Sequence, residues 1–477
     1  MKEMFDFMFL SFESMTHIAS SSLMVLEKTG SIVKNIEGVS LLKEAGCTVT
    51  ADQILFPQEL VKECIKKVPS TFELFSREGK TVDLVGQDET IFNPGSSAGY
   101  FKDHHNHEIR KATLQDMETI VHIVNHLKYM KAQSTAVIPS DVPEHVADLY
   151  RLYVILKFSS KPIVTGAFSK SGFYAMKRML EVVSGDSEEL AKKPRAIFDC
   201  CPSSPLSWGD ATCQNLIDCA RSRIPAEIVP APISGATSPV SLYGTLIQSN
   251  AEILSGVVIS QLANPGAPVI YGGAPSSLDM KIGMPRFGSI EAVMMSCAGA
   301  ELGKYYGFPS HSYLGSSDSK IEDSQSGFES GIGLILGAIV GTNIISGPGL
   351  LAQLNCQSLE KLAMDNEICG LVERLKRGVD ISEAELMTTL IDEVGPSGDY
   401  LKNRHTSKKF RSEFFMPSDI VCGLGIDAWK ASGKKSAYDR AHEKVTSLLQ
   451  GPLDCTLPKD ELVRLDEILR EAKKLEK

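Results

Sequence analysis

The sequence has no surplus of positive charge: 49 Lys and Arg stand against 59 Asp and Glu, a formal charge of −10. Neutralising nucleic-acid phosphates takes clustered basic residues, so no nucleic-acid partner is expected. No basic segment leads into an apolar run at the N-terminus, where Glu3, Asp6 and Glu13 interrupt a Met- and Phe-rich stretch. Neither a signal peptide nor a transit peptide is read there. Long hydrophobic runs are also missing. The most apolar segment, GIGLILGAIVGTNII at Gly331–Ile345, falls short of the roughly 20 residues a helix needs to cross a bilayer. It reads as a buried helix running into a strand, and no membrane association is expected. The eleven cysteines include no CxxC pair, and no histidine stands at ligand spacing from them. Reduced thiols in a cytoplasmic protein are therefore expected, and no metal site is read.

What is present is the composition of a soluble globular protein able to bury a substantial core, 43% apolar and 23% charged with 38 glycines. From about residue 90, short β-branched or aromatic runs alternate with longer helical stretches. The candidate strands are Thr90–Asn93, Ala132–Ile138, Pro162–Thr165, Ala196–Asp199, Glu227–Val229, Pro268–Tyr271, Ser312–Leu314 and Thr342–Ile345. Each exits into Gly, Pro, Ser or Cys, residues that suit tight turns. Between them, three-and-four apolar spacing predicts helices over Thr113–Leu127, Gly172–Val183, Leu242–Gln261 and Ser289–Tyr306. Eight such repeats predict an α/β fold, a (β/α)8 TIM barrel with helical N- and C-terminal extensions, whose chemistry sits at the C-terminal strand ends. The expected division is a helical region over 1–85, the barrel over 86–350, and a helical extension over 351–477 packed on it. The first contains a helix over Leu60–Lys67 and a short strand or hairpin near Thr71–Leu84. The last contains Glu360–Lys376, Glu383–Val394 and a charged amphipathic helix over Lys459–Lys477.

Three long phrases carry a family signature: CPSSPLSWGD (Cys201–Asp210), the stretch from Ser234 to Gly273, and GSSDSKIEDSQSGFES (Gly315–Ser330). With HEIRKATLQD (His107–Asp116), LDMKIGMPRFGSIEA (Leu278–Ala292), HTSKKFR (His405–Arg411) and a helix over Trp429–Leu449, they cover nearly the whole chain. In this order the sequence resembles the trimethylamine methyltransferase family. The resemblance implies a barrel that binds a methylated amine at its C-terminal mouth and hands the methyl to cob(I)alamin on a partner corrinoid protein, with no permanently bound cofactor. Members from methanogens that act on trimethylamine carry pyrrolysine. None is written here, and Lys320 is an ordinary lysine in the region where it would be sought. The chain therefore resembles the non-pyrrolysine branch, which implies a quaternary amine of betaine type such as glycine betaine, proline betaine or carnitine. A homo-oligomer is expected.

The chemistry agrees with that expectation. Removing a methyl from a quaternary ammonium releases a neutral tertiary amine, so the leaving group needs no proton and no acid–base dyad is required. The site has to hold a desolvated cation in line, by aromatic faces and carboxylates. Candidates are Tyr100 and Phe101 after the first strand, Asp141 after the second, Tyr271 ending the sixth, Asp318 after the seventh, and Phe328 and Glu329 on the next helix. A substrate carboxylate would find donors in Gly95-Ser96-Ser97, in Gly347-Pro348-Gly349, and in His311 or His405. Beside these stand plainer readings: core packing for a lone Tyr or Phe, helix capping for Asp141 and Asp318, a satisfied structural role for each His. Two other functions fit the same residues: a barrel enzyme acting on a phosphorylated substrate through its glycine-rich exits, and a non-catalytic binder of quaternary amines.

Overall fold

A run of two to five buried residues can satisfy its backbone only across a ladder, and each predicted run does so with its neighbour. The computed structural model describes residues 8–474. Its barrel strands are β1 (Ile91–Phe92), β2 (Gln133–Ser134), β3 (Ile163–Thr165), β4 (Ala196–Cys200), β5 (Ala226–Ile228), β6 (Val269–Tyr271), β7 (His311–Tyr313) and β8 (Ile344–Ser346). Each precedes a helix: α1 (Leu114–His126), α2 (Ala147–Phe158), α3 (Lys170–Ser184), α4 (Asp210–Ser222), α5 (Leu242–Ala263), α6 (Ile290–Tyr306), α7 (Ser324–Ile339) and α8 (Leu359–Lys376).

Strands β2 to β6 form one parallel ladder and β7, β8 and β1 another. Parallel bridges join the two at Phe92 with Met130 and at Tyr271 with Ser310. There the Lys131 amide donates to Phe92 O at 3.0 Å and the Tyr271 amide to Pro309 O at 2.8 Å, so the barrel closes. Its floor is apolar: Ile91, Ala132, Ile197, Ile270 and Ile344 pack with Leu74 and Val85. Those two come from the predicted hairpin, Phe72–Phe75 against Thr81–Val85, which plugs the N-terminal end.

The apolar segment singled out in the sequence is α7 running into β8. Its glycines let the helix backbone approach β7, because a Cβ at Gly333 would collide with the Leu314 carbonyl oxygen. Outside the barrel, helices Phe12–Lys28 and Gln58–Ile65 pack on α5. Helix Lys459–Ala472 buries Leu465, Ile468 and Leu469 and lies along α3. The expected single helix over Trp429–Leu449 is two, Ile426–Ala431 and Ala437–Leu449, because Gly433 and Lys434 between them take positive φ. Among the described residues no helix is long and apolar enough to cross a membrane, and all eleven cysteines are free thiols.

Candidate active site

The strand period of two that sends Ile91, Ile197 and Ile344 into the floor sends Asn93, Asp199 and Ser346 into the lumen two residues later. Glu227 is the cross-strand partner of Asp199. The next residue, Ile228, turns outward against Gly256 and α5. His311 and Tyr313 flank Ser312, whose hydroxyl reaches out to the Ser296 carbonyl of α6 at 3.3 Å, so both rings face inward. They meet edge to face, centroids 5.1 Å apart.

The cluster is wired through β8. Asn93 Nδ2 donates to Ser346 Oγ at 2.9 Å, and His311 Nε2 lies 2.9 Å from the same oxygen. His311 Nδ1 is 2.9 Å from Glu227 Oε2, without the alignment of a hydrogen bond. No N–H or hydroxyl donor reaches that ring nitrogen, the Glu227 oxygens or Asp199 Oδ1 among the described residues, and the two carboxyls lie against each other. Burial sets their protonation. It raises Glu227 to about 8 and lowers His311 to about 4. It also lifts Asp199 well above the usual carboxylate range, with the neighbouring Glu227 adding to the effect. At neutral pH the imidazole is neutral and Glu227 holds a proton that a cation in the lumen would displace.

Arg151 reaches this layer from α2. Its side chain is wholly buried, and Nη2 donates to Ser97 Oγ at 2.8 Å and to the Thr135 carbonyl. Nε and Nη1 have no partner. Burial lowers its pKa to about 10, against the opposing pull of Asp148 and Asp199, so the guanidinium stays charged at neutral pH. Tyr313 OH, 2.8 Å from Ser96 Oγ, lies within electrostatic reach of it.

Of the residues singled out in the sequence, His311 lies in this cluster. Asp318 and Glu329 come together beside it, on the segment after β7. Glu329 accepts from Ser317 Oγ at 2.5 Å, the Asp318 amide at 2.8 Å and Gln325 Nε2 at 2.9 Å. Asp318 accepts from the Phe287 amide at 3.1 Å, and Arg286 Nε is 3.8 Å from its other oxygen. Phe328, one residue round the helix from Glu329, is 56% exposed. Tyr271 is not in the lumen: since Ile270 faces in, Tyr271 faces out, donating to Asn250 Oδ1 of α5 at 3.0 Å. Tyr100 and Phe101 lie on a separate sheet beside Cys356 and Gln357. Lys111 Nζ covers the Tyr100 ring at 4.1 Å, and Phe101 is buried in the main core. Asp141 caps α1, accepting from the Leu114 amide at 2.9 Å. His405 sits in helix Arg404–Glu413, 3.9 Å from Glu383.

Five amides of the glycine-rich exits are engaged internally. The Gly95 and Ser97 amides donate to Pro348 O and Thr135 O, the Gly315 and Ser317 amides to Ser346 O and Leu350 O. The Gly349 amide donates to Asp365. These five amides are therefore not available to an anion. Asp199, Glu227, Arg151 and Tyr313 escaped the reading of the sequence. Their only signal was an acidic residue inside each of two apolar strand runs.

The trimethylamine methyltransferase (MTTB) family model matches residues 2–475. A trimethylamine methyltransferase MttB of Desulfitobacterium hafniense is 31% identical over 96% of this chain and 92% of its own length. One from Methanosarcina thermophila is 32% identical over 94% and 95%. A glycine betaine methyltransferase of Desulfitobacterium hafniense is 29% identical over 92% of each chain. Among solved structures, the Methanosarcina barkeri monomethylamine methyltransferase superposes with a TM-score of 0.54 at 13% identity, over 92% of this chain and 88% of that one, a likeness of fold.

Proposed function

This chain belongs to the trimethylamine methyltransferase family and is a methyltransferase, and from that premise we propose that its substrate is a small quaternary amine bearing a carboxylate, a betaine-type zwitterion. One observation carries the reading: the lumen sets two buried carboxyls, Asp199 and Glu227, against each other and within electrostatic reach of a buried guanidinium with unused donors, Arg151. The ammonium end lies against Asp199 and Glu227, and Glu227 gives up its proton as the cation enters, because a nearby positive charge lowers a carboxyl pKa. The neutral His311 adds no competing charge. The Tyr313 ring offers a face worth about 0.5–2 kcal/mol to a desolvated cation. The carboxylate end takes the Nε and Nη1 donors of Arg151, whose fork suits two oxygens. Asp318 and Glu329 brace the segment that borders the mouth.

A reduced corrinoid carried by a partner protein supplies the nucleophile that accepts the methyl group. The chain's part is to point one methyl outward and to leave the mouth open to the partner. Exposed apolar side chains on the segments following β5, β6 and β7 suit such a docking: Val240, Met280, Ile282 and Phe328. The departing tertiary amine is neutral and takes no proton. A methyl-transfer assay with a reduced corrinoid protein and a panel of betaines and methylamines, followed by corrinoid absorbance, tests the assignment. Turnover of at least one betaine is expected; turnover of trimethylamine alone would overturn it.

A further inference from the structure

His104, His107 and His442 gather with Glu360 outside the residues of the lumen cluster, and one ligand atom each of His104, Glu360 and His442 converge. His104 lies in the loop between strands Tyr100–Lys102 and Ile109–Lys111, Glu360 in the first turn of α8, and His442 on helix Ala437–Leu449. His104 Nδ1 and His442 Nδ1 both point at one oxygen, Glu360 Oε1, at 2.6 and 2.9 Å, and the three ligand atoms lie within 4.8 Å of one another. We propose that His104, Glu360 and His442 bind a divalent transition-metal ion of zinc type, clamping helix Ala437–Leu449 and α8 to the loop between strands Tyr100–Lys102 and Ile109–Lys111.

The proton inventory supports a cation at this point. Thr446 Oγ1 uses its single hydrogen to donate to the His442 carbonyl at 2.8 Å, so towards His104 Nε2, 3.0 Å away, it accepts. The ring proton of a neutral His104 then sits on Nε2, and its Nδ1 lone pair faces a carboxylate oxygen. A ring proton or a metal ion can occupy the space between these two atoms, and His442 Nδ1 converges on the same oxygen. The same Thr446 contact is the outer-sphere hydrogen bond that orients metal-ligating histidines. Two imidazoles and one carboxylate make up a common zinc ligand set, with bonds of about 2.0–2.2 Å. That places ligand atoms about 3.4 Å apart across a tetrahedral angle, so small side-chain rotations of His104 and His442 open the cluster enough.

Access and surroundings also fit. The His104 and Glu360 side chains are 5% and 1% exposed, but that of His442 is 32% exposed, leaving an entry path and room for a water ligand. The rings of His104 and His442 stack at 4.2 Å, and His107, bonded through Nδ1 to Tyr438 OH at 2.9 Å, packs edge-on against His442. The nearby Lys102 is neutralised by its ion pair with Glu322. Sequence spacing could not reveal this set, because its members stand 256 and 82 residues apart.

The test uses the full chain, stripped with chelator and titrated with Zn2+ or Co2+. One equivalent bound per chain, a rise in melting temperature with Zn2+, and visible Co2+ absorption of a low-coordinate N/O site are expected. His442→Ala, at the exposed ligand, should abolish the Co2+ band, and Thr446→Val should weaken affinity at least about tenfold. Because Glu360→Gln alters a buried group, His442→Ala carries the decision. Failure of the native chain to take up a stoichiometric ion, or an unchanged Co2+ band in His442→Ala, overturns the proposal. So does a stripped protein in which His104 stays doubly protonated, as an ion pair with Glu360, after Zn2+ is added. None of these results depends on which amine is the substrate.

Discussion

Glu227 holds a proton at neutral pH because burial raises its pKa from 4.5 to about 8. In the unfolded chain it is ionised above 4.5, so the folded state binds more protons in this window and the group's stabilisation is lost as pH rises towards 8. His311 works the other way: its folded pKa of about 4 lies below the ordinary 6.5, so its contribution is complete above 6.5 and lost as pH falls towards 4. Between pH 6.5 and 8 the Glu227 effect is unopposed by His311. The melting temperature of the unliganded protein should decline across that interval, less steeply in Glu227→Gln. The same proton should leave when a cation binds. Calorimetry in buffers of different ionisation enthalpy should find proton release at pH 7 on binding a quaternary amine, diminished in Glu227→Gln; equal release in both would remove Glu227 from the site. Arg151 governs the other end of the substrate. Arg151→Lys keeps the charge and loses the fork, so affinity for a betaine should fall by about 1.5–3 kcal/mol, the worth of a hydrogen bond to a charged group. Affinity for a quaternary amine without a carboxylate should change little; an equal loss for both would place Arg151 outside the substrate's reach.

Helix α7 shows how packing assigns different meanings to glycines two residues apart. Gly333 lies against the Leu314 carbonyl, whereas nothing stands within 4 Å of a Cβ at Gly331. Gly333→Ala should destabilise by about 1–3 kcal/mol through overpacking. Gly331→Ala should be neutral or stabilising by up to about 1 kcal/mol, from helix propensity alone. Thermal unfolding of the pair checks this, and similar midpoints would show that α7 does not approach β7 so closely. The hairpin at 72–85 carries a comparable load at the barrel floor. Leu74 is fully buried among the inward isoleucines, and its truncation to Ala should cost about 2–5 kcal/mol.

At the scale of the whole molecule, barrel closure places the segments after β5, β6 and β7 on one rim. Met280 and Ile282 on that rim are 78% and 67% exposed. Charge introduced there, as in Met280→Glu with Ile282→Glu, should leave amine binding unchanged and weaken methyl transfer to the corrinoid partner at least about tenfold. A steady-state titration of the partner measures this, and an unaltered dependence on partner concentration would move the docking surface elsewhere. The rim, the lumen and the His104 cluster all assemble from segments that meet only when the barrel closes.

The eight strand runs were legible because each is a short buried segment bounded by turn residues, and the helices because apolar positions recur every three or four residues. The division into floor and lumen was not, since it depends on which parity of each strand faces in, and a run of three apolar residues leaves that open. Tyr271 and His311 illustrate the difference. Both lie at barrel strand ends, yet pairing turns one outward to Asn250 and the other inward to Ser346. Composition and periodicity alone thus determined the strand-helix order, and the long phrases the family. Closure of the barrel decided that Asp199, Glu227 and Arg151 share one buried space, because the parallel ladder pairs β4 with β5 and the Arg151 side chain reaches in from α2 to Ser97 and Thr135.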